Sequence, residues 1–269
     1  GAHRDLHSFP TRRSSDLSLL YGLPGQNRVN LSTSIVNAVG FGAREIALAP
    51  LRLRPGSALH ERYAEHPERF DALPRKAWPT DDERLALRAA GEEQLVAGGF
   101  TRVTQHLFSA DGTLRASQRA RCDDVDRLGV GAGAWSKLDG VVSRSTGDLT
   151  RYLAHAEDVR AITAAADVLT PVEASCRYVA GRLFAAEGFS HTEHERRFGA
   201  SLPVPLRAEL ERLAEAGWAT CEGDRWKLTC EGGHRYDDAV RRLAAAAQAE
   251  KEAAGHRGAG ASPRVAASA

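Results

Sequence analysis

Two short apolar runs separated by one helix-length segment constrain this chain more than any other feature. Residues 18–21 (SLLY) form the first run, and the turn-rich string 22–26 closes it. Residues 32–40 place Ile35, Val36 and Val39 on one side of a helix, and residues 45–51 (EIALAPL) form the second run. Apolar runs this short, bounded by Gly and Pro, read as buried strands. A strand, a helix and a strand in succession make a βαβ unit, which predicts parallel pairing. The fold class expected is α/β.

The rest of the chain extends that pattern. Residues 52–79 are irregular and charged, with Pro55, Pro67, Pro74 and Pro79, as in an excursion from a strand end. Thr80 and Glu83 have capping-box spacing and open a helix carrying Leu85, Leu87, Leu95 and Val96, which Gly98 and Gly99 end. Residues 100–108 alternate like a strand, residues 111–120 read as a polar loop, residues 128–136 are glycine-rich, and a helix begins at Asp148. The composition changes near residue 165. Thr170 and Pro171 fit an N-cap and a first-turn proline, opening an amphipathic helix over 172–186. Phe198 and Gly199 close a short element. A helix over 204–216, a hairpin over 218–229 turning at 222–224 and a helix over 236–247 follow. Helix, helix, hairpin and helix predict a small winged-helix-like α+β domain over 156–249. Residues 250–269, rich in Ala, Gly and Ser, are expected to be disordered.

The totals exclude some functions. Of 269 residues, 36 are basic and 35 acidic, a net charge of +1. That balance gives no electrostatic case for a nucleic-acid or membrane partner, and no apolar run approaches a membrane span. Cys122, Cys176, Cys221 and Cys230 are scattered, so the expectation is four reduced thiols in a cytoplasmic protein. Methionine is absent, which suggests a truncated reading frame. Residues 1–17 show no periodicity, lack the apolar region of a signal peptide, and resemble a translated sequencing adapter. They are set aside, so native sequence is expected to begin at Ser18, inside a strand.

Tyr21, Gly22, Leu23 and Pro24, followed by Gly25 and Gln26, are the most informative string. It resembles the YGLP-G/Q motif of the oxygen-independent coproporphyrinogen III oxidase-like family of radical S-adenosylmethionine enzymes. The resemblance continues in order through residues 49–59 (APLRLRPGSAL), 84–108, 129–136 (GVGAGAWS), 148–153 (DLTRYL) and 202–233. It implies the C-terminal part of an incomplete (β/α)6 radical barrel over residues 18–155, followed by the winged-helix-like domain. It also implies S-adenosylmethionine and a 4Fe-4S cluster in the intact parent, and a small-molecule substrate such as a porphyrinogen or another large planar molecule. The namesake reaction is oxidative decarboxylation of propionates to vinyl groups in haem synthesis. Methyltransferases of natural-product pathways and a haem-carrying chaperone share the architecture, and the LRL.P string at 51–55 looks closer to the methyltransferase branch. Oligomeric state is open.

Site residues follow from the resemblance. Tyr21, Gly22, Leu23, Pro24, Gly131 and Gly133 are candidates for cofactor binding, since glycine lets a backbone approach a flat ring or ribose. For Gly131 and Gly133 a tight packing site is the equal alternative. Arg52 and Arg54 are candidates for binding substrate carboxylates in bidentate fashion, against a plain surface role. The family's C-x3-C-x2-C cluster loop and its Gly-Gly-Thr-Pro motif do not occur in this sequence. The cluster is therefore not expected to bind here, and the chain is expected to be an inactive fragment. The family often has Asp three residues before the Tyr, where this chain has Ser18. His191 and His194 read as a solvated polar turn, Asp123, Asp124 and Asp126 as a solvated loop, and helix 204–216 as too mixed in charge for a DNA reader.

Overall fold

β1 (Asp16–Tyr21) and β2 (Glu45–Pro50) pair in parallel, with Tyr21 opposite Pro50, and α1 (Arg28–Gly40) makes the crossover. The βαβ unit is thus present. It belongs to a computed structural model that describes residues 16–52, 57–58, 60–61 and 78–259. The chain divides into two compact units, Gly1–Leu114 and Arg115–Ala269.

In the first unit, Asn27 starts α1 by accepting from the Asn30 amide, while the Asn30 side chain accepts from the Asn27 amide. The buried face of α1 is Leu31, Ile35 and Ala38, at helical spacing. Val36 is 59% exposed, which corrects the expected face. α2 (Asp81–Ala97) opens on the capping box of Thr80 and Glu83 and buries Leu87 and Leu95, while Val96 stays exposed. It crosses the sheet at Gly91, where a β-carbon would stand 2.7 Å from the Leu48 side chain. The single strand expected over 100–108 is instead β3 (Thr101–Arg102), a turn, and β4 (Leu107–Ser109). The Thr104 hydroxyl accepts from the amides of His106 and Leu107 and turns the chain.

The sheet order is β1-β2-β4-β3, with β4 antiparallel to both neighbours, so only β1 and β2 are parallel. The register sorts side chains between two faces. Leu17, Ile46 and Phe108 share one face with Leu19, Leu48 and Tyr21, and both helices pack there through Leu31, Ile35, Leu87 and Leu95. Ser18, Ala47 and Leu107 share the other face with Leu20 and Ala49. Asp16 and Leu17, set aside with the N-terminal segment, belong to β1. Residues 1–15 of that segment, Pro55, Pro67 and Pro74 lie outside the described residues.

The second unit begins with α3 (Ala116–Cys122), which replaces the second half of the expected polar loop. β5 (Trp135–Leu138) and β6 (Val141–Ser145) are followed by α4 (Leu149–Ala154), capped by Asp148, then α5 (Val159–Ile162) and β7 (Thr163–Val168). The three strands make an antiparallel sheet, β5-β6-β7. β7 is exposed and alanine-rich, so no alternation marked it. α6 (Pro171–Phe184), β8 (Phe189–Ser190), α7 (His191–Phe198), α8 (Val204–Glu215), β9 (Ala219–Glu222), β10 (Arg225–Leu228), α9 (Cys230–His234) and α10 (Tyr236–Ala259) complete the unit. Val179, Leu183, Phe189, Leu206, Leu210, Trp226 and Leu243 form its core. α10 runs past residue 250, which corrects the expected onset of disorder, and Lys251 pairs with Glu173 at 2.9 Å. Residues 260–269 lie outside the described residues. No described helix is long and apolar enough to cross a membrane.

The packing break at Leu114/Arg115 differs from the boundary expected at 155/156. Side chains explain the difference: Arg182 of α6 donates to Asp123 at 2.8 Å, and Arg177 to Asp124 at 3.2 Å. α3 and α6 also touch at Gly181, where a β-carbon would stand 2.4 Å from the Cys122 carbonyl oxygen. Gly181→Ala should therefore destabilise this unit by about 1–3 kcal/mol despite better helix propensity. Urea denaturation against the wild type measures this, and an unchanged midpoint would refute it.

Candidate functional site

The exit of β1 is closed by its own sequence. Leu51 donates its amide to the Tyr21 carbonyl at 2.8 Å, which extends the parallel pairing one residue past β2. Gly22 then takes φ +82°, a conformation that a side chain disfavours. The Gln26 side chain folds back over this turn. Its Oε1 accepts from the amides of Gly22 (2.7 Å) and Leu23 (3.3 Å), and its Nε2 donates to the Leu20 carbonyl at 2.9 Å. The amides of Gly22, Leu23 and Gln26 are thus satisfied within the turn, the last by the Leu23 carbonyl. What the turn presents outward is Leu23, 37% exposed, and half-buried Pro24.

Beneath the turn lie two arginines that sequence reasoning did not single out. Tyr21 is fully buried, and its ring packs in the core of the first unit. Burial raises its phenol pKa, and the neighbouring Arg88 guanidinium works against that rise. Arg88 is itself 1% exposed, pairs with Glu92 at 2.7 Å and donates to the Gln105 carbonyl at 2.8 Å. Arg84 lies against Gly22, where a β-carbon would stand 3.0 Å from its Nε, and its Nη2 donates to the Leu51 carbonyl at 2.7 Å. Gly22, Leu23, Pro24 and Arg84 are therefore gathered at the carboxyl ends of β1 and β2. Half-buried Arg52 follows Leu51 directly. Arg54 lies outside the described residues.

Gly131 and Gly133 belong to the other unit. Their φ values are +111° and +73°. A β-carbon at Gly131 would meet nothing within 4 Å, and one at Gly133 only the Gly147 Cα at 3.8 Å, so neither marks tight packing. Their backbone groups are spent locally. The Gly131 amide donates to the Tyr152 hydroxyl, its carbonyl accepts from Ser145 Oγ, and the Gly133 amide donates to the Thr146 carbonyl. The packing role falls on Gly129, where a β-carbon would stand 2.4 Å from the Trp135 carbonyl oxygen.

In two sets of polar residues expected to be solvated, one member of each is buried, while Asp126 is exposed and Asp123 and His191 are half-buried. Asp124 is 4% exposed. Lys137 Nζ donates to its carboxylate at 2.7 Å and to its carbonyl at 2.6 Å. His194 is 1% exposed on α7, 3.0 Å from Ser175 Oγ and tilted on the Phe198 ring, while His191 accepts from the Trp226 indole at 2.9 Å. Burial lowers the pKa of both imidazoles. No group of three His, Cys, Asp or Glu among the described residues is placed to hold a metal ion. The four thiols are free, and burial raises those of Cys122 and Cys176, the latter to about 11.

No family model matches the chain. It is 26% identical over 159 residues to an oxygen-independent coproporphyrinogen III oxidase of Cereibacter sphaeroides (strain ATCC 17025 / ATH 2.4.3), covering 55% of this chain and 33% of that protein. Its fold matches coproporphyrinogen III oxidase (HemN) from Escherichia coli, described as a radical SAM enzyme. That match has a TM-score of 0.62 at 16% identity and covers 86% of this chain and 54% of that one. The chain thus spans about a third of the curated relative and about half of the solved structure. Both findings support the resemblance carried by Tyr21–Gln26 and the segments after it, and the α/β fold is shared.

Gln26→Ala should cost about 1–3 kcal/mol, because it leaves the amides of Gly22 and Leu23 without their acceptor. A thermal melt equal to the wild type would contradict this. Burial holds the His194 pKa below its ordinary value, so the unfolded chain binds more protons than the fold as pH falls. Stability should therefore be full above the ordinary histidine value of about 6.5 and fall as pH drops through it. Melting between pH 7 and 5 should show that loss in the wild type and a flatter profile in His194→Gln. Equal slopes would count against it.

Proposed function

We propose that this chain supplies one flank of the S-adenosylmethionine and substrate pocket of a coproporphyrinogen III oxidase-like radical enzyme, at the carboxyl ends of β1 and β2. The observation that carries the proposal is the parallel β1–α1–β2 unit ending in the Gly22 turn. Open α/β sheets bind ligands outside the carboxyl ends of their strands. Pre-satisfied by Gln26, the turn keeps its shape without a ligand and offers Leu23 and Pro24 as an apolar lip for a flat ring. The sheet face opposite the helices carries small or apolar side chains toward the carboxyl ends of β1 and β2, at Ser18, Ala47, Leu107, Leu20 and Ala49, with Asp16 and Glu45 at its other end. That surface suits a large planar molecule.

S-adenosylmethionine supplies the radical chemistry when bound. The residues of this chain would position it and the substrate and keep water from the apolar lip. In this reading the cluster ligands would come from outside this chain, whose four free thiols are part of no gathered ligand group. Oxidative decarboxylation of porphyrinogen propionates is the reaction class this reading favours.

Product analysis of full-length protein carrying this chain tests it, with S-adenosylmethionine, a reductant and coproporphyrinogen. The expected products are 5′-deoxyadenosine and a vinyl-bearing porphyrinogen. A methylated product without vinyl formation would overturn the oxidase reading in favour of a methyltransferase.

A further inference from the structure

We propose that Arg84 is a carboxylate anchor for the ligand held at the carboxyl ends of β1 and β2; this rests on the function proposed above and adds the group that recognises charge. The two fully buried arginines among the described residues are matched by acids. Arg88 has Glu92, and Arg182 has Asp123, Glu187 and Glu193. Arg84 is half-buried, spends Nη2 on the neutral carbonyl of Leu51, and has no carboxylate partner among the described residues. Its Nε is buried without an acceptor. The adjacent acid, Glu83, is engaged by Thr80 in the helix cap. A cation held partly out of water without a counter-ion is costly, and an incoming anion removes that cost.

Position favours the same conclusion. α2 delivers Arg84 from its first turn onto Gly22, and the missing β-carbon there is what lets the guanidinium lie beside the strand exit. A guanidinium fork matches a carboxylate in a bidentate way. Two ligands of the proposed pocket carry that group: the methionyl part of S-adenosylmethionine and the propionates of a tetrapyrrole.

Calorimetric titration of the chain and of Arg84→Gln tests the proposal and separates the two sources. The probes are S-adenosylmethionine, 5′-methylthioadenosine (which lacks the carboxylate) and coproporphyrin III. Loss of one charge-assisted hydrogen bond should weaken the anchored ligand about ten- to a hundredfold. Affinity for methylthioadenosine should not change. A loss confined to S-adenosylmethionine assigns the anchor to its methionyl group, and a loss confined to coproporphyrin assigns it to a propionate. Arg84→Lys keeps the charge without the fork and should fall between. If Arg84→Gln does not fold, the Lys variant decides, and full affinity there would sink the anchor. Equal binding by wild type and both variants, or an equal loss for methylthioadenosine, overturns the anchor and leaves the pocket standing. Failure of the wild type to bind S-adenosylmethionine or coproporphyrin removes the pocket and the anchor together.

Discussion

The amide of Leu51 meets the carbonyl of Tyr21 across two parallel strands, and the first unit is arranged around that meeting. Parallel strands need a crossover, so α1 must cover one face of the sheet. α2 joins it on the same face at Gly91. Two helices on one side leave the other side of β1, β2 and β4 free of them, with Ala47 and Ala49 in its middle. Because both strands point the same way, their ends coincide. The Gly22 turn, Leu51 and Arg84 meet there, and polar groups converge where the sheet stops satisfying its own backbone.

Charge governs the second unit in a different manner. Asp123 and Asp124 sit between α3 and β5, and both are engaged by cations from elsewhere in the unit. Lys137 reaches Asp124 from β5, and Arg177 reaches it from α6. Removing one partner of a buried pair costs about 3–5 kcal/mol, mostly from the charge left behind. The segment 115–155 is thereby bound to the C-terminal helices. Asp124 holds φ +45°, which aspartate tolerates better than most residues. The glycine-rich loop is built in the same economical way, with Tyr152 and Ser145 absorbing the polar groups of Gly131.

The sequence-level candidates divide along a physical line. Gly22, Leu23 and Pro24 fall together because they are contiguous and the turn is local. Tyr21 is contiguous too, but strand alternation sends its side chain to the helix face and into the core. Gly131 and Gly133 need positive φ, which their residue type permits and their sequence context did not distinguish from tight packing. Arg84 and Arg88 carried no signal of their own. Their placement depends on where α2 lands on the sheet, and helical spacing says nothing about that.

By itself the sequence determined the elements whose causes are local. The capping box at Thr80, the N-cap at Thr170, the βαβ unit, the hairpin at Gly223 and the order of the family-like segments were all legible, since each rests on neighbours a few residues apart. Tertiary structure alone decided the antiparallel return of β4, the exposed strand β7, the burial of Asp124 and His194, the extent of α10 and the packing break at residue 114. Each of these is set by partners 13 or more residues away: Lys137 for Asp124, Ser175 for His194 and Glu173 for Lys251. Burial of a polar group is affordable only when such a distant partner exists, and no local pattern records its arrival.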